Sequence, residues 1–240
     1  MDGRGVFHKC PQQELNPYLA LRTGLLYPLS YEGDLYCIII LSMFIVIEGI
    51  DGAGCETQAT ALIQALTKAG KKPFYIKFPH YDTPVGKMIR DFLYENKVKH
   101  TADEQFLLYT LQFVFDRQLI EQKMKDHVVI ADRYFSTTLC YQTLEGFDEQ
   151  KALQFAENFG IIKPDAVLYL DVTPDTAIKW KYGEDKEKNF RENDHSFIRR
   201  TYEKYKDLVG RSVWAKWIRI QGEQPKEKVT EEIMKVIETL

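Results

Sequence analysis

The stretch 44-FIVIEGIDGAGCETQATALIQAL-66 decides the fold. An apolar, β-branched run leads into a glycine-rich turn. Ala59, Leu62, Ile63 and Leu66 then fall at i, i+3, i+4 and i+7, one face of a helix. Strand, tight turn and helix in this order form the layout of a phosphate-binding loop, whose usual pattern is GxxxxGK[ST]. Gly49 and Gly54 hold the two glycine positions, Gly52 adds a third, and Ala53 completes the turn. Glycines let successive backbone N–H groups converge on an anion, with the positive end of the helix behind them. That chemistry belongs to the backbone and survives any side chain at position 55. Cys55 stands where the pattern has lysine, and Glu56 where it has a hydroxyl residue. A neutral thiol adds almost no charge for a β- or γ-phosphate. A thiolate, favoured at a helix N-terminus, would repel one. A strand-to-helix turn with no nucleotide role is the competing reading of this stretch alone.

Outward from the loop, strand and helix signals alternate. Residues 74–78, 128–133, 166–172 and 217–221 read as further strands. Helical patterns cover 85–94, 102–124, 137–145, 149–159, 174–181, 194–209 and 225–239, and Gly70 with Pro73 marks the end of the first helix. This alternation predicts βαβ units, hence a parallel sheet with helices on both faces. The near-continuous apolar strands fit a sheet buried on both sides. The charged segment 181-KYGEDKEKNFREND-194 reads either as a solvated loop or as a mobile, cation-rich lid. Residues 1–42 carry Pro11, Pro17 and Pro28 and no sustained periodicity. They are expected to be an extension without a function of its own, disordered or arising from an upstream start chosen in error.

Composition narrows the function classes. The 240 residues carry a net charge of −3, with 45% hydrophobic and 28% charged residues, as in an ordinary globular domain. A slightly acidic balance argues against a broad nucleic-acid surface. The longest apolar run, 36-YCIIILSMFIVI-47, falls short of the ~20 residues that span a bilayer. Cys10, Cys37, Cys55 and Cys140 form no CxxC pair, and no histidine stands at metal-ligand spacing from them. Reduced thiols in a cytoplasmic protein are expected.

Four further segments agree with the loop. They are 77-KFPHYDTPVGKMIRDFL-93, 113-FVFDR-117, 132-DRYFSTTLCYQ-142 and 163-KPDAVLYLDV-172. With 47-IEGIDGAG-54 and 57-TQ-58, the chain from Met43 onward resembles the thymidylate kinases, P-loop nucleoside monophosphate kinases. The resemblance implies a three-layer αβα sandwich with a parallel five-stranded sheet and a helical lid over about 181–194. It implies transfer of the γ-phosphoryl of ATP to dTMP, with Mg²⁺. The ATP site would comprise Gly49, Gly52, Ala53, Gly54, Cys55, Glu56 and Thr57. The dTMP site would comprise Asp51, Phe78, Phe113, Arg117, Arg133, Thr138, Tyr141 and Gln142. In this likeness Asp51 accepts from the sugar 3′-hydroxyl, Phe78 and Phe113 wall the base, and Arg117 reaches the base or monophosphate region. Arg133 grips the acceptor phosphate. Asp132 and Thr57 would serve the metal. Arg191 is the first candidate for a catalytic lid cation, with Lys181, Lys186 and Lys188 behind it. A homodimer is implied as well, without a nucleic-acid or membrane partner. Because of Cys55, a catalytically impaired nucleotide-binding homologue stays open, as does a related deoxynucleoside kinase.

Overall fold

The computed structural model describes residues 26–31, 34–39, 42–95, 99–182, 189 and 191–240. Seven strands are present among them: β1 (Leu26–Tyr31), β2 (Asp34–Ile39), β3 (Met43–Glu48), β4 (Pro73–Lys77), β5 (Val128–Asp132), β6 (Ala166–Asp171) and β7 (Trp217–Gln221). The last five form one parallel sheet in the order β4-β5-β3-β6-β7. This is the sheet that the alternating pattern predicts. β1 and β2 pair antiparallel in a separate hairpin, which the sequence of that stretch does not announce.

β3 is the central strand, and all six of its residues are buried. Its flanks are nearly as apolar, with Ile130, Ala131, Leu168 and Leu170 fully covered. In register, Ile47 lies beside Asp132 and Leu168, and Lys77 beside Asp132. The strands therefore end level, and the loops after them open at one carboxyl edge, where open α/β sheets bind ligands.

Helices cover both faces. α1 (Cys55–Lys68) packs against α8 (Lys226–Thr239); on the other side α3 (Ala102–Lys123), α4 (Phe135–Leu144) and α7 (His195–Gly210) pack together. The remaining helices are α2 (Pro84–Arg90), continued by a π-helical turn at Asp91–Glu95, α5 (Glu149–Asn158) and α6 (Pro174–Tyr182). Sequence chemistry fixes the ends. α1 stops where Gly70, at φ 74°, donates to Thr67 O while Lys71 N donates to Leu66 O, a Schellman closure. α3 starts in a capping box: the Thr101 hydroxyl accepts from Glu104 N, and the Glu104 carboxylate accepts from Thr101 N.

α3 is apolar on two opposite sides. Phe106, Phe113 and Ile120 point into the core, whereas Leu107, Leu111, Phe115 and Leu119 are exposed along the outer side. No helix among the described residues is long and apolar enough to cross a membrane. Of the charged segment 181–194, residues 183–188 and 190 lie outside the described residues, and with them the lid candidates Lys186 and Lys188.

Candidate active site

A cleft of about 890 Å³ opens at the carboxyl edge of the sheet. The loop between β3 and α1 forms its floor. Gly52 and Gly54 adopt φ of 91° and 87°, a left-handed region open to glycine at little cost. Gly52 has no alternative, because a Cβ there would sit 2.5 Å from the carbonyl oxygen of Ala177 on α6. Gly54 then caps α1 with its backbone alone, leaving the first N–H groups of the helix facing the cleft. Ile50, Asp51 and Ala53 through Gln58 line the same floor.

Cys55 opens the helix. Its side chain is buried beneath the loop: a Cβ on Gly49 would stand 3.2 Å from its sulfur. Burial pushes the thiol well above its ordinary range, so it is neutral at physiological pH. The thiolate that a helix N-terminus could favour is not formed, and the repulsion expected from it disappears. The positive charge of the usual lysine is still missing from this position.

Beneath the floor lies Glu48, the last residue of β3, wholly buried. Burial raises its carboxyl above the usual range. Its oxygens accept from Ser136 Oγ at 2.7 Å, Thr137 Oγ1 at 2.7 and 2.8 Å, Tyr205 OH at 2.8 Å and Tyr134 N at 3.3 Å. A buried carboxylate is costly unless its lone pairs are filled. These donors fill them, and so tie the loop's root to α4 and α7. The stretch 47-IEGIDGAG-54 contains Glu48 but gives it no role, because its partners come from 86 to 157 positions away.

Arg133 follows β5 and takes φ 66°. A non-glycine residue in that region carries strain of ~1–3 kcal/mol and persists only where its surroundings hold it. Here Arg133 N donates to Ile47 O at 3.1 Å, Nη1 to Gly49 O at 3.1 Å, and Nη2 to Asp51 Oδ1 at 2.6 Å. Its guanidinium also lies 5.9 Å from the ring centre of Tyr141. Asp51 and Arg133 thus meet in one ion pair at the centre of the cleft.

The opposite wall is built from the segment after β4 and from α3 and α4. Phe78, Pro79, Thr138, Tyr141 and Gln142 line it. Phe113 does not: it is buried behind Phe78, with ring centres 4.9 Å apart at 71°. Arg117 lies outside the cleft altogether. Its side chain is about half exposed and its Nε donates to Glu121 at 2.8 Å. Along the same face of α3, one turn before Phe113, Tyr109 does line the cleft, together with Tyr81 and Tyr94. The i, i+4 stripe of the sequence exists, but the cleft meets it a turn earlier. Gln112 fastens this wall by accepting from His80 N and donating to His80 O.

Arg191 is buried at the far side and lines the cleft. It donates to Gln105 and, at 2.8 Å, to Glu145, and its guanidinium stands 5.4–5.7 Å from the ring centres of Phe92, Tyr141 and Phe197. Lys181 pairs with Glu192 at 2.5 Å. Both candidate lid cations are therefore engaged by carboxylates.

For a divalent cation the donor set is all oxygen. Asp132, at the end of β5, is buried, and burial raises its carboxyl; the Thr57 hydroxyl and Glu56 carboxylate stand in the first turn of α1. Among the described residues no group of three or more His, Cys, Asp or Glu forms a metal cage. One or two carboxylates supplemented by substrate phosphates is how Mg²⁺ is commonly held, so these residues fit it.

Comparison with known proteins agrees with this geometry. The thymidylate kinase family model matches residues 47–233. The thymidylate kinase of Arabidopsis thaliana is 29% identical over 195 residues, 80% of this chain and 70% of its own length. That of Caldanaerobacter subterraneus is 30% identical over 203 residues, covering 81% and 94% respectively. A probable thymidylate kinase of Methanocaldococcus jannaschii is 32% identical over 168 residues, 70% of this chain and 82% of its own.

Proposed function

The chain belongs to the thymidylate kinase family, and on that premise we propose that it transfers the γ-phosphoryl of ATP to the phosphate of dTMP. The products are ADP and dTDP, a step toward dTTP. The observation that carries the reading is the Asp51–Arg133 pair, set between an anion-binding loop and an aromatic wall in a single cleft.

The acceptor phosphate is already anionic near neutral pH, so no general base is needed. Alignment and charge neutralisation do the work. The loop amides and the N-terminus of α1 hold the donor phosphates. Arg133 presents a planar fork to the acceptor phosphate, and on binding it exchanges Asp51 for that phosphate. Asp51 is then free to accept from the sugar hydroxyl, and Phe78 with Tyr109 borders the base. Asp132 and Thr57 would hold Mg²⁺, which neutralises phosphate charge when bound. Arg191 and Lys181 would have to leave their carboxylates to serve as lid cations.

The exposed stripe Leu107–Leu111–Phe115–Leu119 supports a homodimer, because apolar rows of this kind mark interaction faces. Cys55 and Cys140 are buried and unpaired, which suits a reducing cytoplasm. The test is a panel of dTMP, dUMP, dCMP and thymidine with ATP and Mg²⁺. dTMP turned over at the highest kcat/KM supports the reading; preference for thymidine or dCMP overturns it.

A further inference from the structure

We propose that Lys77, reaching from β4, supplies the donor phosphates with the cation that position 55 lacks. The inference rests on the kinase reading above and names the group that completes its donor site.

Lys77 is the last residue of β4 and lies beside Asp132 in the sheet register. Register partners on adjacent strands share a face, here the face that carries α1, which packs on both strands. Tyr75, two residues earlier on the same face, donates its hydroxyl to Asp132 at 3.2 Å. The Lys77 ammonium stands 2.9 Å from Glu56 Oε2 and 3.8 Å from Asp132 Oδ2. Glu56 directly follows Cys55. The cation thus hangs over the first turn of α1, beside the loop N–H groups, and it lines the cleft with Gly54, Cys55, Glu56 and Thr57.

Charge and access favour it over Arg133, Arg191 and Lys181. The floor carries Asp51, Glu56 and Asp132, which disfavour a polyphosphate unless cations answer them. Arg133 is engaged with Asp51, on the acceptor side. Arg191 is enclosed by three aromatic rings and Glu145, and Lys181 is held by Glu192. Lys77 keeps 44% of its side chain exposed. Its ammonium is a compact charge on a flexible stem with three rotatable donors, so it can turn from Glu56 to a phosphate without moving the strand. A lysine on the loop and a lysine on β4 reach the same volume from different backbone positions.

The experiment compares wild type with Lys77→Met, Lys77→Arg, Cys55→Lys and Lys77→Met/Cys55→Lys. It measures kcat/KM for ATP and for dTMP, and, without turnover, the Kd of ADP by calorimetry; melting curves check folding. Lys77→Met is expected to lower kcat/KM for ATP about 100-fold and to weaken ADP, with KM for dTMP within threefold of wild type. Lys77→Arg should recover part of the loss. Cys55→Lys should help the Lys77→Met background at least tenfold more than it helps wild type. ATP kinetics and an ADP Kd within threefold of wild type in folded Lys77→Met would overturn the inference. So would a KM for dTMP raised as far as that for ATP, the mark of a merely structural ion pair. If the wild type does not phosphorylate dTMP, the kinase reading fails by itself, and the ADP Kd series still decides Lys77.

Discussion

The two halves of the cleft are built from different material. On the proposed acceptor side, recognition would depend on side chains: Asp51 from the loop, Phe78 and Arg133 from just past β4 and β5, and Thr138, Tyr141 and Gln142 from α4 all line the cleft. On the proposed donor side, recognition would depend on backbone, a turn of glycines at the mouth of a helix, with side-chain charge to come from elsewhere. A backbone site tolerates an unusual residue such as Cys55, because the N–H groups remain. A side-chain site has no such reserve. The difference explains how a chain can depart at the best-known position of its loop while keeping Asp51 and Arg133 in contact.

The sharpest way to break this comparison is Arg133→Met. If the acceptor half depends on side chains, kcat/KM for dTMP falls about a thousandfold, while ADP binding, measured by calorimetry, changes far less. Equal losses on both sides would erase the distinction. Next in size is Glu48→Ala, which strikes the root that both halves share. Three hydroxyls and an N–H would lose their buried acceptor, and chemical denaturation should register a loss of ~3 kcal/mol. Glu48→Gln keeps an acceptor oxygen and should cost less than half of that.

The donor half is tested through its glycines. Gly52→Ala forces a left-handed residue against the Ala177 carbonyl, for an expected loss of ~2–3 kcal/mol. Gly54→Ala has nearly the same φ but open space around it, so only strain of ~1 kcal/mol is expected. Equal costs at the two positions would show that the packing of α6 onto the loop is unimportant. The smallest effect lies outside both halves and serves as the baseline. Glu149 on α5 receives Arg211 and Lys204 from the α7 end, and Arg211 foremost holds its carboxyl down at about 2. A depressed carboxyl stabilises the fold above its unfolded value, about 4.3, and the gain is lost as pH falls through 4 toward 2. With solvent screening, Glu149→Gln should cost ~1 kcal/mol at pH 7, and the difference from wild type should close by about pH 2.

Most of the fold is legible in the sequence, because the strands are short apolar runs, the three inner ones almost wholly buried, and most helices between them keep a clear period. The loop was equally plain, as glycines at fixed spacing admit few conformations. Asp51 and Arg133 belong to local motifs and could be picked out, though their mutual contact spans 82 residues and has no local signature. What escaped the sequence depends on tertiary neighbours. Lys77 reads as an ordinary polar end of an edge strand; only β-sheet register puts it beside Asp132. Arg117 shares a stripe with Phe113, but a stripe gives direction around α3 and says nothing of where along it the cleft begins. For Cys55, helix-end electrostatics pointed to a thiolate, and burial, invisible in a linear chain, outweighs it.

The most direct test of the whole account takes one protein sample through three readings: calorimetric binding of dTMP, calorimetric binding of an ATP analogue, and coupled turnover with ATP, Mg²⁺ and dTMP. The account predicts that both ligands bind independently and that dTDP forms at a rate in the ordinary enzyme range, ~1–100 per second for a kinase. Binding of both ligands without dTDP formation would contradict it, and would make Cys55 the mark of a cleft that holds nucleotides and does not join them.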